Sequence, residues 1–435
     1  MLHRRRPWRE ELEIIDRTMK AVSGITDPNQ MVEMYWDGVG ELWPMEHYLS
    51  LSRRGVEPPK YVITRSSRFV EHFNPWTQRE KLPVLSGGIL GDVAYADKPL
   101  VIADLPSQLK KDDPGWFYLQ GFKTLIALPQ YEDGKGLNIG LTLLGPEEEF
   151  DESMLPMMHW QASLFGRGTQ NLVLRNQLGS ALADLDRELQ AVGEIQRSLL
   201  PSELPRIDEF DLAAWYQTSA RAGGDYYDFF PIGEKEWGVF IADVSGHGTP
   251  AAVLMAITHA IAHTRPGSPK PVAEVLAHLN GHLAKSYTPS GSFVTAFYAT
   301  LDPCSGRVVY SSAGHNPPRL LREGQIHSLE EAGGLPLGIL FDQRYPEATA
   351  ILRPGDVLVL YTDGITEAMA PITRNGSREL FGTERLDQVL IAHSKSTADE
   401  IVTAIRAAVT EFRAGTAPTD DQTIVVMRRM KDGLA

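Results

Sequence analysis

Five short apolar runs, rich in β-branched residues, recur through the second half of the chain, at 239–244, 294–301, 307–311, 357–362 and 423–427. Runs of this length and composition, each bounded by turn residues, predict strands. Helical patterning fills 251–264, 271–287 and 397–412 between them. Strands in succession, then helices, then strands again predict two packed sheets covered by helices, an α+β arrangement.

At 435 residues the chain has room for two or three domains. Its 43% hydrophobic and 23% charged content is that of a globular protein. No run reaches the roughly 18 apolar residues that a membrane span requires. The opening MLHRRRPWREELEII is basic but has no apolar core of a secretory signal, so a cytoplasmic location is expected. A net charge of −14 argues against a nucleic-acid binder, which needs a basic face. The single cysteine, Cys304, excludes an internal disulfide and a thiolate zinc site, and its DPCSG setting reads as an unreactive turn.

Four stretches are expected along the chain: an N-terminal arm at 1–19, an α/β domain at 20–169, a helical linker at 170–204 and the strand-rich domain at 205–430. Strand-like runs at 99–103, 124–128 and 137–144, separated by turns such as EDGKG, define the second of these. Three segments, LSGGILGDVAYADKPLVIADL, GFKTLIALPQYEDGKGLNIGLTLL and EEEFDESMLPMMHWQASLF, give it a resemblance to GAF-type sensor domains. That resemblance implies a small-molecule or protein signal. His159 and Trp160 read as part of a packed helix face. In the linker, Leu178, Leu185, Val192 and Leu199 recur every seven residues, with Leu182, Leu189 and Gln196 four residues after the first three. This is an a/d seam with one polar position, Gln196, and it predicts a homodimer through a short coiled coil or else a helix packed on its own domain.

Acidic motifs punctuate the strand-rich domain at strand ends: GGD at Asp225 with Asp228, Asp243 in IADVSGHG, Asp363 in LYTDG, and Asp420-Asp421 in TDDQT. Singly, each is an ordinary turn or capping residue. Together they form an oxygen-rich set suited to hard divalent cations, with glycines that let backbone approach closely. No thiolate or paired-histidine spacing competes with them for a softer metal. Carboxylates at several strand ends can converge on one edge of a sandwich and hold two cations that activate a water.

The ordered motifs GGDYYDF, IADVSGHG, GSFVTAFYATLDPCSGRVVYSSAGHNPP, GLPLGI, LYTDGITEA and DDQT resemble the bacterial branch of the PPM (type 2C) serine/threonine phosphatases, in its stress-response and sporulation members. The linker end, EIQRSLLPSELP, resembles the segment joining regulatory domains to such phosphatases. The resemblance implies an αββα sandwich and two Mn²⁺ or Mg²⁺ ions. Asp243 would bridge the ions, the Val244 carbonyl would complete one site, Asp363 and Asp420 would ligate the other, and Asp225 would act close in. Asp421 and Asp228 would stand behind these ligands. The implied reaction is attack of metal-activated water on a phosphoserine or phosphothreonine. The implied partner is a phosphorylated STAS-type anti-sigma-factor antagonist.

Two features depart from the wider family. Arg221 precedes GGD without a motif that fixes it as the phosphate-binding arginine. The wider family has a histidine directly after its Asp-Gly metal motif; here Val244 and Ser245 fill that stretch and His247 comes later, either as general acid or as filler of a Gly-His-Gly turn. His315 in AGHNPP reads as structural, and Thr362 and Glu367, which flank the Asp363 turn, as residues behind the ligands or on the surface. Two other readings stay open: a catalytically inactive scaffold of the same fold, and a two-metal nucleotide cyclase suggested by GGD alone.

Overall fold

The computed structural model describes residues 7–42, 46–71, 73–233, 235–264, 271–287, 291–372 and 378–431. The first six residues of the expected arm, and 373–377 in the loop after Ala370, lie outside them. The chain divides into two compact units, Met1–Leu182 and Ala183–Ala435. Among the described residues no helix is long and apolar enough to cross a membrane.

The first unit is built on a six-stranded antiparallel sheet, in the order Val84–Ser86, Lys60–Ser66, Tyr48–Ser52, Lys135–Leu144, Thr124–Glu132, Leu100–Ile102. The three expected strands are present, and the strands at Tyr48–Ser52 and Lys60–Ser66 extend the sheet beyond the sequence reading. Asp133 and Gly134 both take positive φ, 47° and 77°, which is what the tight hairpin joining the two longest strands requires. Alternation divides the sheet cleanly. Leu49, Leu51, Leu125, Ala127, Ile139 and Leu141 share one core with Leu90 and Val93 of the helix Gly88–Tyr95. Ile126 and Leu128 face the other way, toward Leu155 and Met158. His159 lies edge-on to Tyr131 at 5.7 Å between ring centroids, in the packed setting the sequence suggests, whereas Trp160 is exposed.

Linker and preceding helix form one continuous 44-residue helix, Leu155–Ser198. The seam does not behave uniformly along it. Leu178, Leu182 and Leu185 are exposed, while Gln196 is buried and Val192 and Leu199 are partly covered. Gln196 is therefore not a polar seam residue. Its amide bonds within its own unit, as described below.

The second unit is an αββα sandwich. One sheet runs Gly333–Gly334, Arg307–Ala313, Val294–Asp302, Glu236–Val244, Tyr226–Ile232, with Ala348–Ile351 also pairing on Arg307–Ala313. The other runs Gln325–Ser328, Arg319–Arg322, Val357–Tyr361, Gln422–Arg429, Phe210–Gln217. Four of the five expected strands fall within these, and the fifth, 357–362, overruns Val357–Tyr361 by Thr362 alone. The cyclase reading fails here, because GGD opens an edge strand of an antiparallel sandwich and not a hairpin within a βαββαβ domain.

Central strands buried on both faces read as unbroken apolar runs. In Val357–Tyr361, Leu358 and Leu360 join Val239, Phe297 and Ala299 between the sheets. Val357, Val359 and Tyr361 instead face a second core with Ile401, Ile405 and Val409 of the helix Ala398–Arg413. Helices Thr249–His263 and Val272–Ser286 cover the first sheet.

Candidate active site

The sandwich brings the acidic motifs to one edge by strand parity and strand ends. Side chains alternate along a strand, so on paired strands Tyr227 opposite Ile241 sets one face, and Asp225 and Asp243 fall on that face, toward the second sheet. From the second sheet, Asp363 follows Val357–Tyr361, and Asp420 and Asp421 precede Gln422–Arg429, its hydrogen-bonded neighbour. Four strand ends from two sheets thus deliver the carboxylates to a common edge.

Glycine makes the approach possible at two positions. A Cβ on Gly364 would lie 1.8 Å from the Asp421 carbonyl oxygen, and one on Gly224 would lie 2.9 Å from the Val244 carbonyl oxygen. The LYTDG and DDQT turns cross backbone to backbone, and GGD lies directly against the Val244 carbonyl.

Asp225 is 1% exposed and accepts two hydroxyl hydrogen bonds on Oδ2, from Thr362 at 2.7 Å and Thr423 at 2.6 Å. Thr362 is thus a fully buried positioning residue and not a surface one. Thr423 was missed by sequence reasoning, although a threonine following the paired aspartates by two residues was the available signal. Asp421, also buried, organises the loop before GGD. It accepts from the Gly224 amide at 2.6 Å and from Thr218 Oγ1 and the Ser219 amide at 2.8 Å each.

Electrostatics tie the set together. Burial, then repulsion from Asp225, Asp363 and Asp420, raises the Asp243 carboxyl far above the usual carboxylate range. Burial and repulsion from Asp421 raise Asp225 in the same direction. Burial and Glu367 raise Asp363, and burial raises Asp420 with Asp363 adding to it. Asp363 Oδ1 is buried without a hydrogen-bond partner among the described residues. An all-oxygen donor set with an orphaned buried oxygen and mutually repelling carboxylates fits hard divalent cations.

The remaining candidates separate. His247 is exposed, and its charge acts on Asp420, so it stands at the mouth of the edge. His315 is buried, shares a hydrogen bond with Thr295 Oγ1 at 2.8 Å, and is held neutral by burial, which pushes its pKa down to about 4. It packs the inter-sheet face as a structural residue. Arg221 is engaged by Asp186 of the long helix, Nε to Oδ1 at 2.8 Å. Asp228 does not stand behind Asp225. Three residues apart on an extended chain, the two point to opposite faces, and Asp228 faces the helix Thr249–His263.

The same long helix grips the GGD loop. Gln196 Oε1 accepts from the Gly223 amide at 2.8 Å, and its Nε2 donates to the Tyr216 hydroxyl at 3.0 Å. A Cβ on Gly193 would lie 2.0 Å from the Arg221 carbonyl oxygen, so helix and loop backbones are in direct contact.

Comparison with known proteins agrees with this architecture. A family model described as Stage II sporulation protein E (SpoIIE) matches residues 233–430. Phosphoserine phosphatase RsbU of Bacillus subtilis (strain 168) is 30% identical over 249 residues, 57% of this chain and 71% of RsbU. Protein IcfG of Synechocystis sp. is 26% identical over 295 residues, 60% of this chain but only 45% of IcfG, so the chain spans less than half of that relative. The SiaA-PP2C domain of Pseudomonas aeruginosa shares the fold, with a TM-score of 0.51 at 21% identity over 57% of this chain and 98% of that domain. Sandwich, motif order and these likenesses together place the chain in the SpoIIE/PP2C-type phosphatase family to which RsbU belongs.

Proposed function

We propose that the chain is a metal-dependent protein serine/threonine phosphatase acting on a phosphorylated regulatory protein, and that a STAS-type anti-sigma-factor antagonist is its substrate class. The observation that carries this reading is the convergence of Asp225, Asp243, Asp363 and Asp420 from two sheets, each with its carboxyl pushed upward. Asp243, Asp363, Asp420 and the Val244 carbonyl would hold divalent cations, Mn²⁺ or Mg²⁺, with Asp225 close in. Such ions supply activated water and neutralise phosphoryl charge. The name of RsbU, a phosphoserine phosphatase, supports the substrate chemistry.

This chain's own residues have definable tasks. Thr362 and Thr423 fix the Asp225 carboxylate, and Asp421 fixes the loop that carries it. His247, exposed beside Asp420, is placed to protonate the leaving serine or threonine oxygen. The N-terminal unit acts as a GAF-type sensor. Its signal reaches the active edge through the long helix, whose Gln196 holds the Gly223 amide. The exposed Leu178, Leu182 and Leu185 support a homodimer through the upper part of that helix.

Hydrolysis of p-nitrophenyl phosphate with and without Mn²⁺, by wild type and Asp243→Asn, tests the reading. Mn²⁺-driven turnover that the substitution abolishes is the expected result. Metal-independent turnover, or turnover that survives the substitution, would overturn it.

A further inference from the structure

On the outer face of the first sheet lies a second cluster with different chemistry. His259 and His263 stand one turn apart on Thr249–His263, and Asp228 comes from the strand Tyr226–Ile232 that the helix covers. One potential ligand atom from each of the three lies within 4.8 Å of the others. We propose that Asp228, His259 and His263 form a binding site for a borderline transition-metal ion, Zn²⁺ in the first instance, that staples the last turn of this helix to the strand beneath it.

The donors are prepared for such an ion. The Asp228 carboxylate is oriented by two protein hydrogen bonds, from the Tyr226 hydroxyl to Oδ2 at 2.6 Å and from the Phe229 amide to Oδ1 at 2.7 Å. Orienting contacts behind a ligand are what metal sites require. His263 Nε2 already lies 2.9 Å from Asp228 Oδ2. His259 has no hydrogen-bond partner among the described residues and is located by ring packing alone, 5.4 Å from Tyr226 and 4.2 Å from His263.

Two imidazoles and one carboxylate leave a coordination position open, a set that suits Zn²⁺ and is poor for Mg²⁺, which prefers oxygen alone. The His263 side chain is 46% exposed, which gives an ion a path from solvent. The site is distinct in donors and in sheet face from the carboxylate edge. The helix it would tether begins directly after the Asp243–Gly248 segment.

The test uses the full chain, freed of metal with chelator and kept in excess Mg²⁺ so that the oxygen-rich edge is satisfied. Zn²⁺ is titrated calorimetrically, and Co²⁺ is added in parallel as a spectroscopic probe. The expected result is one Zn²⁺ per chain, with intense visible Co²⁺ bands of a low-coordinate nitrogen-containing site. His263→Ala and His259→Gln should each weaken Zn²⁺ binding by about 100-fold or more while circular dichroism stays native. Asp243→Asn should keep both signals. Absence of Zn²⁺ binding in folded wild type, or equal binding in wild type and both histidine variants, would overturn the proposal. Should one variant lose its fold, the other and the wild-type Co²⁺ spectrum decide; weak bands typical of six oxygen ligands would equally overturn it.

Discussion

Asp225 and Asp421 differ from Asp243, Asp363 and Asp420 in what satisfies them. The first two are almost fully buried, yet Asp225 Oδ2 and both Asp421 oxygens are taken up by hydroxyls and amides of the protein. The other three crowd against neighbouring carboxylates, Asp243 against Asp225, Asp363 and Asp420, and Asp363 against Glu367, and Asp363 keeps a buried oxygen with no partner among the described residues. The same residue type thus serves two ends. Two carboxylates build the edge, and three leave unbalanced negative charge on it. Fold and function pull in opposite directions only at the second group, because buried charge without a partner is costly until a cation arrives.

The largest expected effect tests that division directly. Asp243→Asn or Asp363→Asn should lower metal-dependent phosphatase turnover by about 10³-fold or more, since several kcal/mol of charge stabilisation disappears. The metal-free thermal midpoint should hold or rise, because repulsion is relieved. A fall in midpoint would mean that these carboxylates also build the fold. Asp421→Ala should do the reverse, costing about 3 kcal/mol of stability in a denaturant titration by stranding the Gly224 and Ser219 amides. A variant as stable as wild type would erase the contrast.

A pH effect of intermediate size follows from the raised carboxyls of Asp225, Asp243, Asp363 and Asp420. A carboxyl whose folded pKa exceeds its unfolded value favours folding at low pH, and that contribution is lost as pH rises through the folded pKa. Mn²⁺ should therefore raise the thermal midpoint more near pH 8 than near pH 5 at the same free Mn²⁺ concentration, because protons compete with the ion at the lower pH. An equal shift at both would show that the carboxylates carry no strain for the ion to relieve. The smallest expected effect concerns the helix grip: Gln196→Leu should cost about 1–2 kcal/mol and change how turnover depends on the N-terminal unit. Identical activity of the variant and wild type under all conditions would remove the helix from control.

Much of this was legible beforehand. Strands buried on both faces announce themselves as apolar runs, and aspartates at their ends mark the edge where they converge. Two residues were misassigned for physical reasons. Heptad spacing made Gln196 a seam position, but spacing says only which side of a helix a residue occupies, not whether the covering surface is a second helix or the helix's own domain. Asp228 was grouped with Asp225 by proximity in sequence, although an odd separation along a strand sends them to opposite faces. The same parity, with His259 and His263 four apart, would have pointed to the second cluster. Thr218 escaped because a hydroxyl that orients a carboxylate from another loop has no spacing rule of its own, whereas Thr423, two residues past the paired aspartates, could have been found.

The contact at Gly193 bears on what kind of signal the long helix can deliver. Its Cα faces the Arg221 carbonyl where even a methyl group would come within 2.0 Å. A helix turned by one position would present Val192 or Glu194 to that oxygen, and neither fits. Rotation cannot be absorbed gradually at such a joint. On the proposed route of control, the helix would be either in register with the loop or off it, and the joint would act as a latch with two positions and not as a dial.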